Sequence, residues 1–273
     1  MKKLFVLLLL VATIGATAQS ITMPQPSPTQ TITQDFALSK VEVNYSRPSA
    51  KGRIIFGDLV PFDKLWRTGA NQPTTLMFGE DVTLNGTAVK AGTYSLITKP
   101  GETSWTIMLS DSKVSSANYK VGDEMYTFMA KPVKLPMQVE TFTIMLSNQT
   151  ANSMEIDLIW ADVEVPIKVE SDIDTKVMAQ IDKVMTGDNL PYFNAASYYY
   201  ENGKDMTKAM MWADKAVEQQ PTAYWVAHLK AKIQAKSGDK KGAMMTAKKS
   251  MELAEKAGNM DYVKLNKDLM GSM

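Results

Sequence analysis

From about Ser39 to Glu170 the apolar residues return at every second position, and from Ser171 onward they return at every third or fourth. Period two is the signature of half-buried strands and period 3.6 that of amphipathic helices, so the chain divides into two segments of different class. In the first, Val41, Val43 and Tyr45 alternate with Glu42 and Asn44, and Trp105, Ile107 and Leu109 flank polar neighbours. Thr74–Phe78, Val82–Leu84, Tyr94–Thr98, Phe142–Leu146, Met154–Trp160 and Val163–Glu170 read as further strands. Short strands at this spacing predict a mainly β domain over residues 39–170, an antiparallel sandwich or jelly-roll-like fold. Asn85-Gly86 after Leu84 predicts a hairpin turn. The apolar parity is even through Trp160 and odd from Val163, which predicts a bulge near Ala161-Asp162. Pro166 has no N–H to give a ladder and predicts an edge strand.

The second segment, residues 171–273, predicts an all-α module. Ile173, Val177, Ile181 and Val184 form one stripe, with Ser171 or Asp172 as cap and Gly187 as stop. Asn189 and Pro191 open the next helix, and Gly203 ends it. Lys208-Ala209-Met210-Met211-Trp212-Ala213 is then echoed by Gly242-Ala243-Met244-Met245-Thr246-Ala247, an offset of 34 at which Ala216 also meets Ser250. That is the tetratricopeptide period, in which small residues let paired helices approach closely. Residues 190–257 accordingly resemble tetratricopeptide repeats, which implies an interaction surface for a protein or peptide partner.

Met1-Lys2-Lys3, the apolar run Leu4–Ile14 and Ala16-Thr17-Ala18 together read as a signal peptide over residues 1–18, so an exported protein, periplasmic or secreted, is expected. Without that segment the chain carries 28 basic and 29 acidic side chains. Such near-neutrality argues against nucleic acid or a membrane surface as the main partner. Residues 19–38, Thr-, Ser-, Gln- and Pro-rich at first, read as a flexible lead-in. One His and no Cys in 273 residues exclude disulfide frameworks, Cys/His zinc sites and thiol nucleophiles. No cofactor and no metal are expected.

Among 30 basic residues only three are Arg, namely Arg47, Arg53 and Arg67, and all fall within residues 47–67. A planar guanidinium grips carboxylates, phosphates or hydroxyls through two hydrogen bonds, which an ammonium does not. The surrounding segment follows neither period and is rich in Gly, Arg, Asn and aromatic residues; long loops of this makeup are functional or act as plugs. One reading is a polar pocket in which Lys51, Arg53, Arg67, Thr68 and Asn71 bind an anionic or hydroxylated ligand against Trp66. The other is architectural, with the Arg residues paired to Asp58, Asp63 or Asp81.

Two motifs in this segment carry a resemblance: Arg47-Pro48-Ser49-x-Lys51-Gly52-Arg53-x-Ile55-Phe56-Gly57, and Trp66-Arg67-Thr68-Gly69-Ala70-Asn71-x-x-Thr74, followed by Ala91-Gly92-x-Tyr94-x-Leu96, Pro100 and Trp105. They resemble the secreted bacterial domain-of-unknown-function family 2911, over residues 22–165. Gln72-Pro73 and Phe62 depart from its usual pattern. The resemblance implies export and a β domain often followed by helical repeats, and it implies no reaction or catalytic residue.

The expected function is therefore a non-catalytic ligand- or partner-binding module. The rival is an envelope hydrolase acting on a glycan or ester with carboxylates near Asp58–Asn71, where Asp58, Asp63, Glu80 and Asp81 are the available acids. His228, the Met-rich stripes and Tyr198-Tyr199-Tyr200 read as packing residues, and the sequons at Asn85 and Asn148 are incidental.

Overall fold

The computed structural model describes residues 23–114, 117–120, 122–187 and 190–273. The signal segment 1–18 and Asn189 lie outside the described residues. The chain divides into two compact units, one ending at Ile173 and the other starting at Asp174.

Among the described residues the first unit holds ten strands: β1 (Thr29–Phe36), β2 (Ser39–Ser46), β3 (Thr74–Phe78), β4 (Val82–Leu84), β5 (Thr87–Val89), β6 (Gly92–Lys99), β7 (Trp105–Asp111), β8 (Glu124–Ala130), β9 (Val133–Ser147) and β10 (Ser153–Glu170). They form a six-stranded sheet in the order β1-β2-β3-β6-β7-β8 and a four-stranded sheet in the order β5-β4-β10-β9. Every pairing is antiparallel. Alternate residues of both sheets face one another. Val43, Leu76, Leu96, Ile107 and Leu109 from one sheet join Leu84, Ile144, Ile156, Val165, Ile167 and Val169 from the other in a single buried cluster. Each such side chain contributes about 1.5–3 kcal/mol by leaving water, and this cluster is what makes the unit a sandwich.

Three departures from the sequence expectation have local causes. Residues 29–36 are a strand rather than lead-in, paired along their whole length with β2. As an outer strand, β1 buries only Phe36 fully, so its Thr and Gln residues show no strong apolar alternation. β8 has Tyr126, Phe128 and Ala130 on its inner row, but Met125 and Met129 on its outer row blur the alternation. Finally, Met154–Trp160 and Val163–Glu170 are one long strand, β10, that lies inside its sheet between β4 and β9. Its register shifts on both sides of Ala161, which has φ 53°, so the parity change is made by an irregularity there. Pro166 is not at a sheet edge. It falls after the last pair with β9, at Glu164, and before the first with β4, at Val169, where no ladder partner waits for an N–H. The Asn85-Gly86 turn forms as expected, and Asn85 also bonds to Met129 O and the Lys168 N–H.

The second unit contains α1 (Ile173–Val184, which starts one residue before the unit), α2 (Tyr192–Glu201), α3 (Met206–Gln219), α4 (Tyr224–Lys236), α5 (Lys240–Lys256) and α6 (Met260–Gly271). From α2 on, each helix packs against the next. Ala209, Ala213 and Ala216 on α3, and Ala243, Ala247 and Ser250 on α5, are fully buried, so the echoed small residues are the close-packed ones. Asp205, Asp239 and Asn259 cap α3, α5 and α6 through their side chains.

Candidate functional site

Residues 47–73, between β2 and β3, form an irregular loop fastened to both sheets. On one side it runs along β9: the Ala50 N–H donates to Glu140 O at 2.7 Å and Pro48 O accepts from the Phe142 N–H at 2.8 Å. On the other side Trp66 pairs with Thr98 on β6 through two main-chain hydrogen bonds of 2.7 and 2.9 Å. The loop thereby spans the gap between the sheets and drops Ile55, Phe56, Val60 and Trp66 into the core cluster. Trp66 stacks on Trp160 with centroids 5.9 Å apart and meets Phe56, Trp105 and Phe142 edge-on. Trp160 is held by its indole N–H donating to Glu140 O. Packing of this kind contributes beyond simple burial and fixes the ring positions.

Above these rings lies an open cleft of about 360 Å³, lined by Arg53, Arg67, Leu59, Gly69, Asn71 and Ser27 among others, with Trp66 and Trp160 beneath. Arg53 and Arg67 are exposed and are its only charged lining residues. Both are held by main-chain carbonyls. Arg53 Nε donates to Ala50 O at 2.8 Å and its Nη2 to Ser49 O at 2.7 Å, while Arg67 Nη1 donates to Asn71 O at 3.1 Å. Arg47 donates to one main-chain carbonyl, Phe142 O, and to the hydroxyl oxygen of Thr143. None of the three Arg forms an ion pair among the described residues, so the expected pairs with Asp58, Asp63 or Asp81 are absent; Asp81 instead binds Lys90. The reason lies in the loop: a chain that leaves regular structure exposes carbonyl oxygens, and the guanidinium forks collect them.

The other expected contacts have different places. Thr68 is fully buried and donates to Thr98 Oγ1 at 3.0 Å, while Thr68 O accepts from the Thr74 hydroxyl. Trp66 is only 9% exposed. Asn71 spends its amide on Ser27 O and its carbonyl on Arg67, so it positions the cleft wall. Lys51 is exposed outside the lining, with its main-chain N–H on Glu140 Oε1. Gly69 has φ +143°, and a Cβ there would lie 3.0 Å from Ser46 O and from Thr74 Oγ1, so only glycine fits this turn. Trp160 and Glu140 were not singled out from the sequence. The parity change beside Trp160 was the available signal, since an irregularity re-aims a side chain toward a site.

Positive φ at non-glycine residues is concentrated here. Of eight such positions among the described residues, four (Lys51, Asp63, Thr68 and Asn71) lie in this loop. For a β-branched residue such as Thr68 the left-handed conformation is a true outlier.

No curated protein and no solved structure matches the chain. The family model described as "Protein of unknown function (DUF2911)" matches residues 27–169, which hold β1 to β9, nearly all of β10 and the whole cleft loop. That span is more than half of the chain, and the chain belongs to this family of unknown function.

Proposed function

We propose that the β unit is a non-catalytic binding module of an exported protein, and that its ligand enters the cleft edged by Arg53 and Arg67. The observation that carries this reading is the left-handed backbone of Thr68 and Asn71, the first adjoining and the second lining a cleft whose charged residues are Arg53 and Arg67. Each left-handed non-glycine residue costs about 1–3 kcal/mol, and such residues persist where the surrounding structure holds a functional geometry in place. A loop serving only as a plug has no need to hold Thr68 and Asn71 in that conformation beside an open, positively charged cleft. A hydrolase of the two-carboxylate type draws no support from this cleft, because none of its lining residues is acidic.

In the same proposal the helical unit is a tetratricopeptide-like surface for a protein or peptide partner, supported by the buried small residues at an offset of 34. Export is supported by the composition of residues 1–18.

The test is a thermal-shift screen of the protein against glycans, peptidoglycan fragments, phosphorylated metabolites and peptides, run beside Arg53→Ala and Arg67→Ala. A ligand at a hundred times its Kd adds about 2.7 kcal/mol of stability. The expected result is a stabilising compound whose effect disappears in both variants. A panel with no such compound, or one whose effect persists in both, contradicts the proposal.

A further inference from the structure

We infer that the chemical group recognised by this cleft is an oxyanion, a carboxylate or a phosphate, held between Arg53 and Arg67. The inference rests on the cleft being the ligand site, and it adds the sign and geometry of what binds there.

The two guanidiniums are anchored but not neutralised. A carbonyl oxygen orients a guanidinium without cancelling its charge, and Arg53 and Arg67 bond only to carbonyls. Arg53 has committed Nε and Nη2, and Arg67 has committed Nη1. Each guanidinium has five N–H donors, so both keep donors in reserve. Some basic residues of the protein do meet acids. Elsewhere Lys90 meets Asp81 at 2.8 Å, Lys204 meets Asp174 at 2.7 Å and Lys230 meets Asp214 at 2.8 Å. Glu140, which reaches the loop from β9, accepts from the Lys51 main-chain N–H, and the loop's own Asp58 and Asp63 form no ion pair with either Arg among the described residues.

A neutral polyol would satisfy donors and leave two positive charges uncompensated on the lining of one small cleft. An oxyanion satisfies both, through the charge-assisted, forked geometry that guanidinium prefers. The cleft volume, about 360 Å³, is near the lower end of small-molecule sites, which suits one charged group with a short body. Trp66 and Trp160 are almost wholly buried and offer little ring surface to a ligand, so the charged rim is left as the recognition element.

The experiment is calorimetric titration of the full chain with glucose 6-phosphate, glucuronate and glucose, which share one ring and differ in a phosphate, a carboxylate or no charge. At least one charged sugar should bind at least about tenfold more tightly than glucose. That binding should weaken as salt is raised from about 50 to 300 mM, since exposed charges are screened. It should fall about tenfold or more in Arg67→Gln and in Arg53→Gln. Which charged sugar binds separates phosphate from carboxylate. Equal binding of glucose, lost in the Arg variants, overturns the charge inference while the cleft remains a site. If neither charged sugar binds in an Arg-dependent way but a neutral compound from the thermal-shift panel does, the charge inference again fails alone. If no compound of either experiment depends on the two Arg, both readings fail. Should Arg53→Gln not fold, Arg67→Gln, which removes a single internal hydrogen bond, and the charged-against-neutral comparison in the parent protein decide the matter.

Discussion

His228 is the lone imidazole of the chain, and its surroundings fix its protonation. Asn266 donates its amide to Ser250 Oγ and Tyr262 O, so Asn266 Oδ1 faces His228 Nδ1, at 2.8 Å, as an acceptor. The neutral ring already supplies the required Nδ1–H. Burial lowers the His228 pKa below its ordinary 6.5, with the Asn266 hydrogen bond opposing and the Lys232 charge reinforcing. A depressed histidine favours folding while it is neutral, so its contribution is complete above about pH 6.5 and is lost as the pH falls toward the folded-state value. Urea unfolding of the parent and of His228→Gln at a series of pH values checks this. Between about pH 7 and pH 5 the parent should lose more stability than the variant, and parallel profiles would contradict the assignment. From the sequence His228 reads as a packing residue; the Asn266 and Ser250 partners come from other helices and leave no local trace. The same holds in the cleft. The clustering of Arg47, Arg53 and Arg67 in this loop was visible in the sequence, yet the use of Arg53 and Arg67 on carbonyls was not, because main-chain acceptors have no side-chain signature.

Helix ends in the second unit show how much an element depends on one side chain. Asp205 accepts only from the Thr207 and Lys208 N–H groups of its own helix. Asp239 caps α5 through the Gly242 N–H and also accepts from the amide of the buried Gln234 on α4. Losing a cap costs about 1 kcal/mol, and leaving a buried amide without its partner costs about 1–3 kcal/mol more. Asp239→Ala is therefore expected to lower the unfolding free energy more than Asp205→Ala, as measured by urea denaturation; equal losses would show that Gln234 finds another partner. Among the strands, legibility followed burial. β2, β7 and β10 carry aliphatic and aromatic rows on their inner faces and were readable from alternation, down to the irregularity at Ala161. β1 and β8 escaped because an outer strand has little to bury and because methionines sit on the outer row of β8. β5 buries only Val89 and so shows no alternation, unlike the equally short β4, which buries Val82 and Leu84.

At the scale of the molecule, the change of period near Glu170 corresponds to the passage from sheets to helices, and a family of unknown function covers the sheet unit. The loop 47–73 has two layers with different roles. Its apolar layer, centred on Trp66, closes the sandwich between the sheets, while its polar layer holds Arg53 and Arg67 at an open rim. The central claim is that the rim is available for a ligand and is not part of what keeps the fold together. The most direct measurement is the equilibrium unfolding free energy of Trp66→Ala beside that of Arg67→Ala. Emptying the Trp66 position among Phe56, Trp105, Phe142 and Trp160 should cost about 3–5 kcal/mol. Removing Arg67, exposed and bonded only to Asn71 O, should cost no more than about 1 kcal/mol. If Arg67→Ala destabilises the protein as much as Trp66→Ala, the guanidinium is architecture and the claim is contradicted.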